Sequence, residues 1–254
     1  MASVKDIFTQ VASLAPLNLQ MEFDNSGFLV GSGKKEVHRV LLSLDITVEV
    51  IEEAAELGCE LIVSHHPVIF DGLKNVTDDG SGNKVCLLLE KGIAAICMHT
   101  NLDIAEGGVN DVLIRMLGCE PEDAVDPHGC GRIGTLPVPR PMSEFLPFVK
   151  ERLQSKGLRY WDAGKPVSRL AVLGGAGGDE LCYAIAKGCD TYVTADVKYH
   201  IFLDAAEKGI NLIDADHFCT ENPVMHVLKE RLQRAFPDVT FSLSQRHGQV
   251  VSFI

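Results

Sequence analysis

Apolar residues in this chain fall into short unbroken runs, separated by longer stretches in which they recur every three or four positions. The first stretch is amphipathic. Ile7, Phe8, Val11 and Leu14 share one helical face, Ser3 and Asp6 precede them as an N-cap pair, and Pro16 stops the helix. Runs at 28–30, 40–44 and 61–63 read as strands. Helix 47–57 lies between the last two, with Asp45 and Thr47 as candidate caps and Gly58 as its left-handed stop. Helix 84–91, strand 93–98 and helix 109–117 follow a polar loop at 71–84. The second half repeats the rhythm: helix 143–155, strand 168–173, helix 179–187, strand 191–194, helix 197–208 and strand 210–214. Pro223 suits the first turn of a long helix reaching 236, and strands 239–243 and 249–253 close the chain. Strands alternating with helices predict an α/β fold with mixed, mostly parallel sheets flanked by helices.

The halves echo one another. Gly58-Cys59-Glu60 before one strand parallels Gly188-Cys189-Asp190 before another, and the tetrapeptide 90–93, E-K-G-I, recurs at 207–210. After each tetrapeptide come an apolar strand and then a histidine with a carboxylate four residues on: His99 and Asp103, then His217 and Glu221, the offset differing by one residue. We read a duplicated α/β unit, with residues 1–125 and 126–254 as approximate, intertwinable halves and the stretch 122–140, with its scattered glycines and prolines, as connector. A site between such halves is expected, because equivalent strand ends meet at a pseudo-twofold.

Composition narrows the class. A hydrophobic content of 46% gives a chain of 254 residues ample material for a core. The formal charge of −12 disfavours nucleic acid as the main partner, since phosphate backbones require a basic face. No apolar stretch reaches membrane-spanning length. The eight cysteines form no C-x-x-C pair and several sit inside apolar runs, as expected for thiols in a reducing, cytoplasmic setting.

The candidate chemistry gathers where strands end. Strand 61–63 runs into Ser64, His65, His66 and Pro67, and the other strand ends bring His99, Asp103, His217 and Glu221. Imidazole and carboxylate donors without thiolate suit Zn, Fe, Mn or Co, and bridging carboxylates permit two ions. Adjacent residues on a strand face opposite ways, so His65 and His66 need a turn to act together. The glycine-rich loop with Gly174, Gly175, Gly177 and Gly178 follows a strand and opens a helix, where amides can cradle phosphate. Asp196 and His200, four apart after strand 191–194, are candidate pocket residues. His38, His128, His226 and His247 have neither a strand-end position nor a spaced carboxylate, and read as ordinary residues.

The stretches F-D-N-S-G at 23–27, S-H-H-P at 64–67, H-T-N-L-D at 99–103, T-A-D-V-K-Y-H at 194–200 and D-H-F-C-T-E at 216–221 together resemble the GTP cyclohydrolase 1 type 2 homologues, a family of dinuclear-metal-centre proteins. The resemblance spans nearly the whole chain, with Phe23 where the family usually carries Trp. It implies two α/β halves with two divalent metal ions per chain between them, held by His65, His66, Asp103, His217 and Glu221, with Asp103 and Glu221 as bridges. It also implies a toroidal homohexamer. His99 falls on a position lining the site, and with His200 it is the candidate proton-transfer group. The expected activity is hydrolysis of a phosphorylated or nucleotide-like small molecule, of the GTP cyclohydrolase kind. A non-catalytic metal-binding or regulatory protein and a metal-dependent phosphatase or phosphodiesterase are the rival readings.

Overall fold

The strand–helix alternation closes into two separate five-stranded sheets. The first has the order Thr240–Leu243, Arg39–Ser43, Leu61–Ser64, Ala94–Cys97, Gly27–Val30, parallel throughout except for the last strand. The second has the order Arg132–Arg140, Val167–Val172, Thr191–Thr194, Asn211–Asp214, Arg159–Trp161, with three parallel central strands and an antiparallel strand on either edge. The computed structural model describes all 254 residues. No helix is long and apolar enough to cross a membrane.

The compact units are Met1–Glu106 with Met225–Gly248, and Gly107–Val224 with Gln249–Ile254. The chain thus passes between units after Glu106, Val224 and Gly248. The physical reason is the strand Thr240–Leu243. It pairs in parallel with Arg39–Ser43 and so returns the end of the chain to the first sheet. The central parallel strands Leu61–Ser64, Ala94–Cys97, Thr191–Thr194 and Asn211–Asp214 are buried at every position because both faces are covered. Leu41, Ile51, Ile62 and Leu88 anchor the first core; Phe145, Leu170, Val193 and Ile213 anchor the second.

Local signals are realised closely in most places. Ser3 and Asp6 form a reciprocal capping box on the helix Val4–Leu14. Thr47, not Asp45, caps Val48–Glu56 by accepting from the Val50 amide. Two expectations fail. The presumed connector contains the strand Arg132–Arg140, whose ladder with Val167–Val172 runs over Arg132–Thr135, slips, and resumes at Arg140. Pro137 and Pro139 lie inside that slip, on an edge strand, where a missing N–H breaks no ladder bond. The last stretch, 249–253, is not a strand. The Phe253 ring lies against the backbone of Gly157, and Gln249 is bonded to Lys156.

The duplication is visible in topology. In each sheet three consecutive parallel strands are followed by an antiparallel strand that precedes them in the chain. The repeated tetrapeptide ends a helix in both units, with Gly92 and Gly209 as left-handed caps at φ 67° and 66°. Five-residue helices follow the third strand in both, Thr100–Ile104 and His217–Glu221. His99 is the N-cap of the first and Asp216 the N-cap of the second. The equivalent of His99 is therefore Asp216, and His217 lies one position later, which accounts for the one-residue offset in the sequence repeat.

Candidate metal centre

In the first unit, the strand Leu61–Ser64 delivers His65 and His66 to a turn held by its backbone. Both histidine amides donate to the Leu44 carbonyl, at 3.1 and 2.9 Å, and the Ser64 hydroxyl donates to the His66 carbonyl at 2.8 Å. That turn supplies the re-aiming that adjacent donors need. The His65 and His66 ring centroids stand 4.9 Å apart, and His99 joins them at 5.3 and 5.5 Å. One donor atom from each of the three histidines lies within 4.8 Å of the others.

Each ring is oriented through Nδ1. His65 donates to the Met98 carbonyl at 2.8 Å, His66 to Asp45 Oδ1 at 2.8 Å, and His99 to Asp24 Oδ1 at 2.7 Å. A carbonyl or an ionised carboxylate only accepts, so Nδ1 carries a proton in all three rings, and in the neutral ring Nε2 is the nitrogen left to coordinate. This is the arrangement by which outer partners orient metal-binding imidazoles. Asp103 adds a carboxylate, its Oδ1 lying 3.6 Å from His65 Nε2.

The two supporting carboxylates are held ionised. Burial acts to raise the pKa of Asp24, but hydrogen bonds from His99 and Thr100 outweigh it and set the group well below the usual carboxylate range. The same balance holds at Asp45, where hydrogen bonds from His247 and His66 overcome burial. The F-D-N-S-G segment is thus a clamp. Asp24 Oδ2 accepts from the Thr100 amide at 3.0 Å, and Ser26 Oγ donates to Asn101 Oδ1 at 2.8 Å.

In the second unit, His217 Nδ1 meets Asp196 Oδ2 at 2.7 Å, and His217 Nε2 lies 3.0 Å from Glu221 Oε2, one helical turn on. Asp196 and Asp216 both adopt positive φ, at 50° and 76°, uncommon for residues other than glycine. Gly175, at φ 70°, presses on this pair. A Cβ there would stand 2.1 Å from Glu221 Oε1 and 3.2 Å from His217 Nε2. The amides of Gly174, Gly175 and Gly177 donate to Asn110 Oδ1, Thr220 Oγ1 and Thr194 Oγ1, at 2.9, 3.0 and 3.0 Å. Three amides of the expected phosphate cradle are thus committed inside the fold, and the loop serves as packing behind Glu221. Gly178 opens the single turn Gly178–Glu180.

Of the residues singled out in the sequence, His65, His66, His99 and Asp103 gather in the first unit, and His217 and Glu221 pair in the second. His200 lies exposed in the first turn of Tyr199–Lys208 and joins neither set. Sequence reasoning missed Asp24, Asp45 and His247 as supporting groups, and gave Asp196 to His200 instead of His217. The signal for Asp24 was present in the F-D-N-S-G motif. Nothing local marks His247, which is 202 residues from its partner Asp45.

Fold and donors together define a duplicated α/β protein with imidazole–carboxylate groups suited to a divalent metal. The model of the Duf34/NIF3 (NGG1p interacting factor 3) family matches residues 2–248, and the chain belongs to that family. It is 35% identical over 260 aligned residues to a Clostridium perfringens protein named GTP cyclohydrolase 1 type 2 homolog, covering 99% of each. A Bacillus cereus protein related to NIF3 has a similar crystal structure, with a TM-score of 0.91 at 25% identity over 99% of both chains. Reduced HcgD from Methanocaldococcus jannaschii gives 0.84 at 30% identity, covering 96% of this chain and 98% of that one.

Proposed function

We propose that this chain is a metal-dependent hydrolase of a phosphorylated or nucleotide-like small molecule, carrying two divalent ions per chain. The ligands are His65, His66 and Asp103 from the first unit and His217 and Glu221 from the second. The observation that carries the reading is the convergence of three imidazoles, each with Nδ1 fixed on an oxygen so that Nε2 is the nitrogen left to coordinate. The donor set of imidazole and carboxylate fits Zn, Fe, Mn or Co. When bound, such ions supply Lewis acidity and lower the pKa of water.

The chain's own residues do the rest. Asp24 fixes the His99 ring beside its two neighbouring imidazoles, and in this reading His99 is the proton-transfer group. Gly175 leaves room for the Glu221 carboxylate and backs it with main chain. A homohexamer, as in the family pattern, completes the proposal.

The test begins with metal analysis of protein purified without chelator. About two transition-metal ions per chain support the reading. Metal-loaded protein is then offered GTP and a panel of phosphate esters. Released formate favours the cyclohydrolase version, and inorganic phosphate the phosphatase version. Loaded protein that turns over nothing, or protein that takes up no Zn²⁺, Fe²⁺, Mn²⁺ or Co²⁺, overturns the hydrolase. Light scattering of the purified chain reads the hexamer.

A further inference from the structure

We propose that His247, an unremarkable residue by sequence, is a positioning residue of the metal centre that acts through Asp45 on His66. The inference rests on the metal-binding part of the reading above and goes beyond it by naming a residue outside every motif.

Asp45 stands directly after Leu44, whose carbonyl anchors the His65–His66 turn, so its carboxylate is rigidly placed beside that turn. It is not spent on capping the next helix, because Thr47 does that. Its two oxygens are divided between two imidazoles instead. Oδ1 accepts from His66 Nδ1 and Oδ2 from His247 Nε2, both at 2.8 Å. Two torsions, about Cα–Cβ and Cβ–Cγ, set the place and plane of an aspartate carboxylate. Pinning Oδ2 therefore fixes the direction in which Oδ1 is offered, and with it the plane of the His66 ring. Removing the His247 donor loosens those torsions and widens the range of His66 orientations.

The segment bearing His247 is itself fastened. The Ser244 hydroxyl and the Gln245 amide donate to Glu53, the latter at 2.8 Å, and both terminal guanidinium nitrogens of Arg246 reach the Glu56 carboxylate. These tethers bind the end of the returning strand Thr240–Leu243 to the helix Val48–Glu56, which starts three residues after Asp45. His247 is the last of them, and its side chain is only 11% exposed. A fold that needed only to secure its chain end has Glu53 and Glu56 for that purpose. The fourth contact goes to the carboxylate that orients His66.

The experiment is a Co²⁺ titration of stripped full-length protein, read by visible absorption, with Zn²⁺ affinity measured by competition against a chromophoric chelator. Asp45→Ala sets the scale, with affinity falling about 10–100-fold. His247→Leu falls about tenfold, at the low end of that range, and shifts the Co²⁺ spectrum. His247→Gln, whose amide nitrogen can take the place of Nε2, recovers affinity to within about threefold of wild type; His247→Asn, one carbon shorter, does not. Thermal melting of the metal-free variants is the control. A purely structural clamp lowers the melting temperature of His247→Leu while affinity and spectrum stay at wild-type values, and that result overturns the proposal. If His247→Leu does not fold, the contrast between Gln and Asn decides, and equal affinities overturn it. Wild-type protein that binds no metal refutes the metal centre itself, a distinct failure.

Discussion

Replacing Gly175 with alanine separates two effects that glycines usually combine. Gly175 and Gly188 have nearly the same left-handed backbone, φ 70° and 73°. A side chain in that region costs about 1–2 kcal/mol at either site. The surroundings differ. A Cβ at Gly188 meets nothing within 4 Å, whereas at Gly175 it falls 2.1 Å from Glu221 Oε1, more than 1 Å inside ordinary contact at 3.4 Å. The carboxylate has to move, and its partner His217 with it, since their ion pair is 3.0 Å long. Overpacking of this kind adds about 1–3 kcal/mol. Gly188→Ala should therefore cost about 1–2 kcal/mol and leave metal affinity unchanged, and Gly175→Ala about 2–5 kcal/mol. Displacing Glu221, a ligand in the proposed centre, should also weaken Co²⁺ binding by about tenfold or more. Chemical denaturation reads the first quantity and Co²⁺ titration the second. If the two variants lose equal stability and both bind Co²⁺ like wild type, the loop does not hold Glu221, and its packing role is refuted.

Other expectations follow from single groups. Burial pushes the thiols of Cys59, Cys119 and Cys189 up to about 11 and that of Cys219 to about 12, so alkylation of the native protein at pH 8 should mark Cys182, the exposed thiol, and spare these four, as peptide mass mapping will reveal. Thr47→Ala should cost about 1 kcal/mol in denaturant unfolding without changing metal affinity, because it removes a cap and touches no ligand. Burial, with Asp179 and Asp126 nearby, raises the Glu180 pKa, and its Oε2 is buried without a hydrogen-bond partner. A carboxyl raised on folding binds its proton more tightly in the folded state. Its ionised form thus lowers stability at neutral pH, and the penalty is relieved as pH falls through the raised value. Glu180→Gln should accordingly stabilise the protein at pH 7 and gain markedly less at pH 4.5; an equal gain at both, or a loss at pH 7, would show that burial does not govern this group.

What could be read from the sequence divides along physical lines. Capping, periodicity and turn chemistry are local, so the Ser3–Asp6 box, the stop at Gly58, and every strand of both sheets except Arg132–Arg140 and Arg159–Trp161 were visible beforehand. The strand Arg132–Arg140 was obscured because its prolines are acceptable only where the ladder slips on an edge, which is a tertiary fact. Conversely, 249–253 has strand-like composition but gains no ladder, and composition alone cannot supply a partner strand. The donors themselves were legible, since His65, His66, His99 and His217 fall at strand ends. The groups that orient them were not. Asp45 looks like a cap until Thr47 is seen in that role, and His247 has no meaning until a strand 200 residues later pairs beside Arg39–Ser43.

The duplicated scaffold explains why the donors were easier to find than to align. Counting from the second parallel strand, the residue two beyond its end is His66 in one unit and Asp196 in the other. Beyond the third strand the helix N-cap is His99 in one and Asp216 in the other. At both positions an imidazole in the first unit answers to a carboxylate in the second. The pairing chemistry survives the exchange. His66 leans on a carboxylate supplied by a neighbouring strand end, while Asp196 is itself the carboxylate on which His217 leans. The fold thus dictates that strand ends carry an oriented imidazole and its supporting acid, without dictating which residue is which. A repeat search that demands identical residues at equivalent positions misses this relation, and one that asks for a histidine with a carboxylate four residues later finds it one residue out of register.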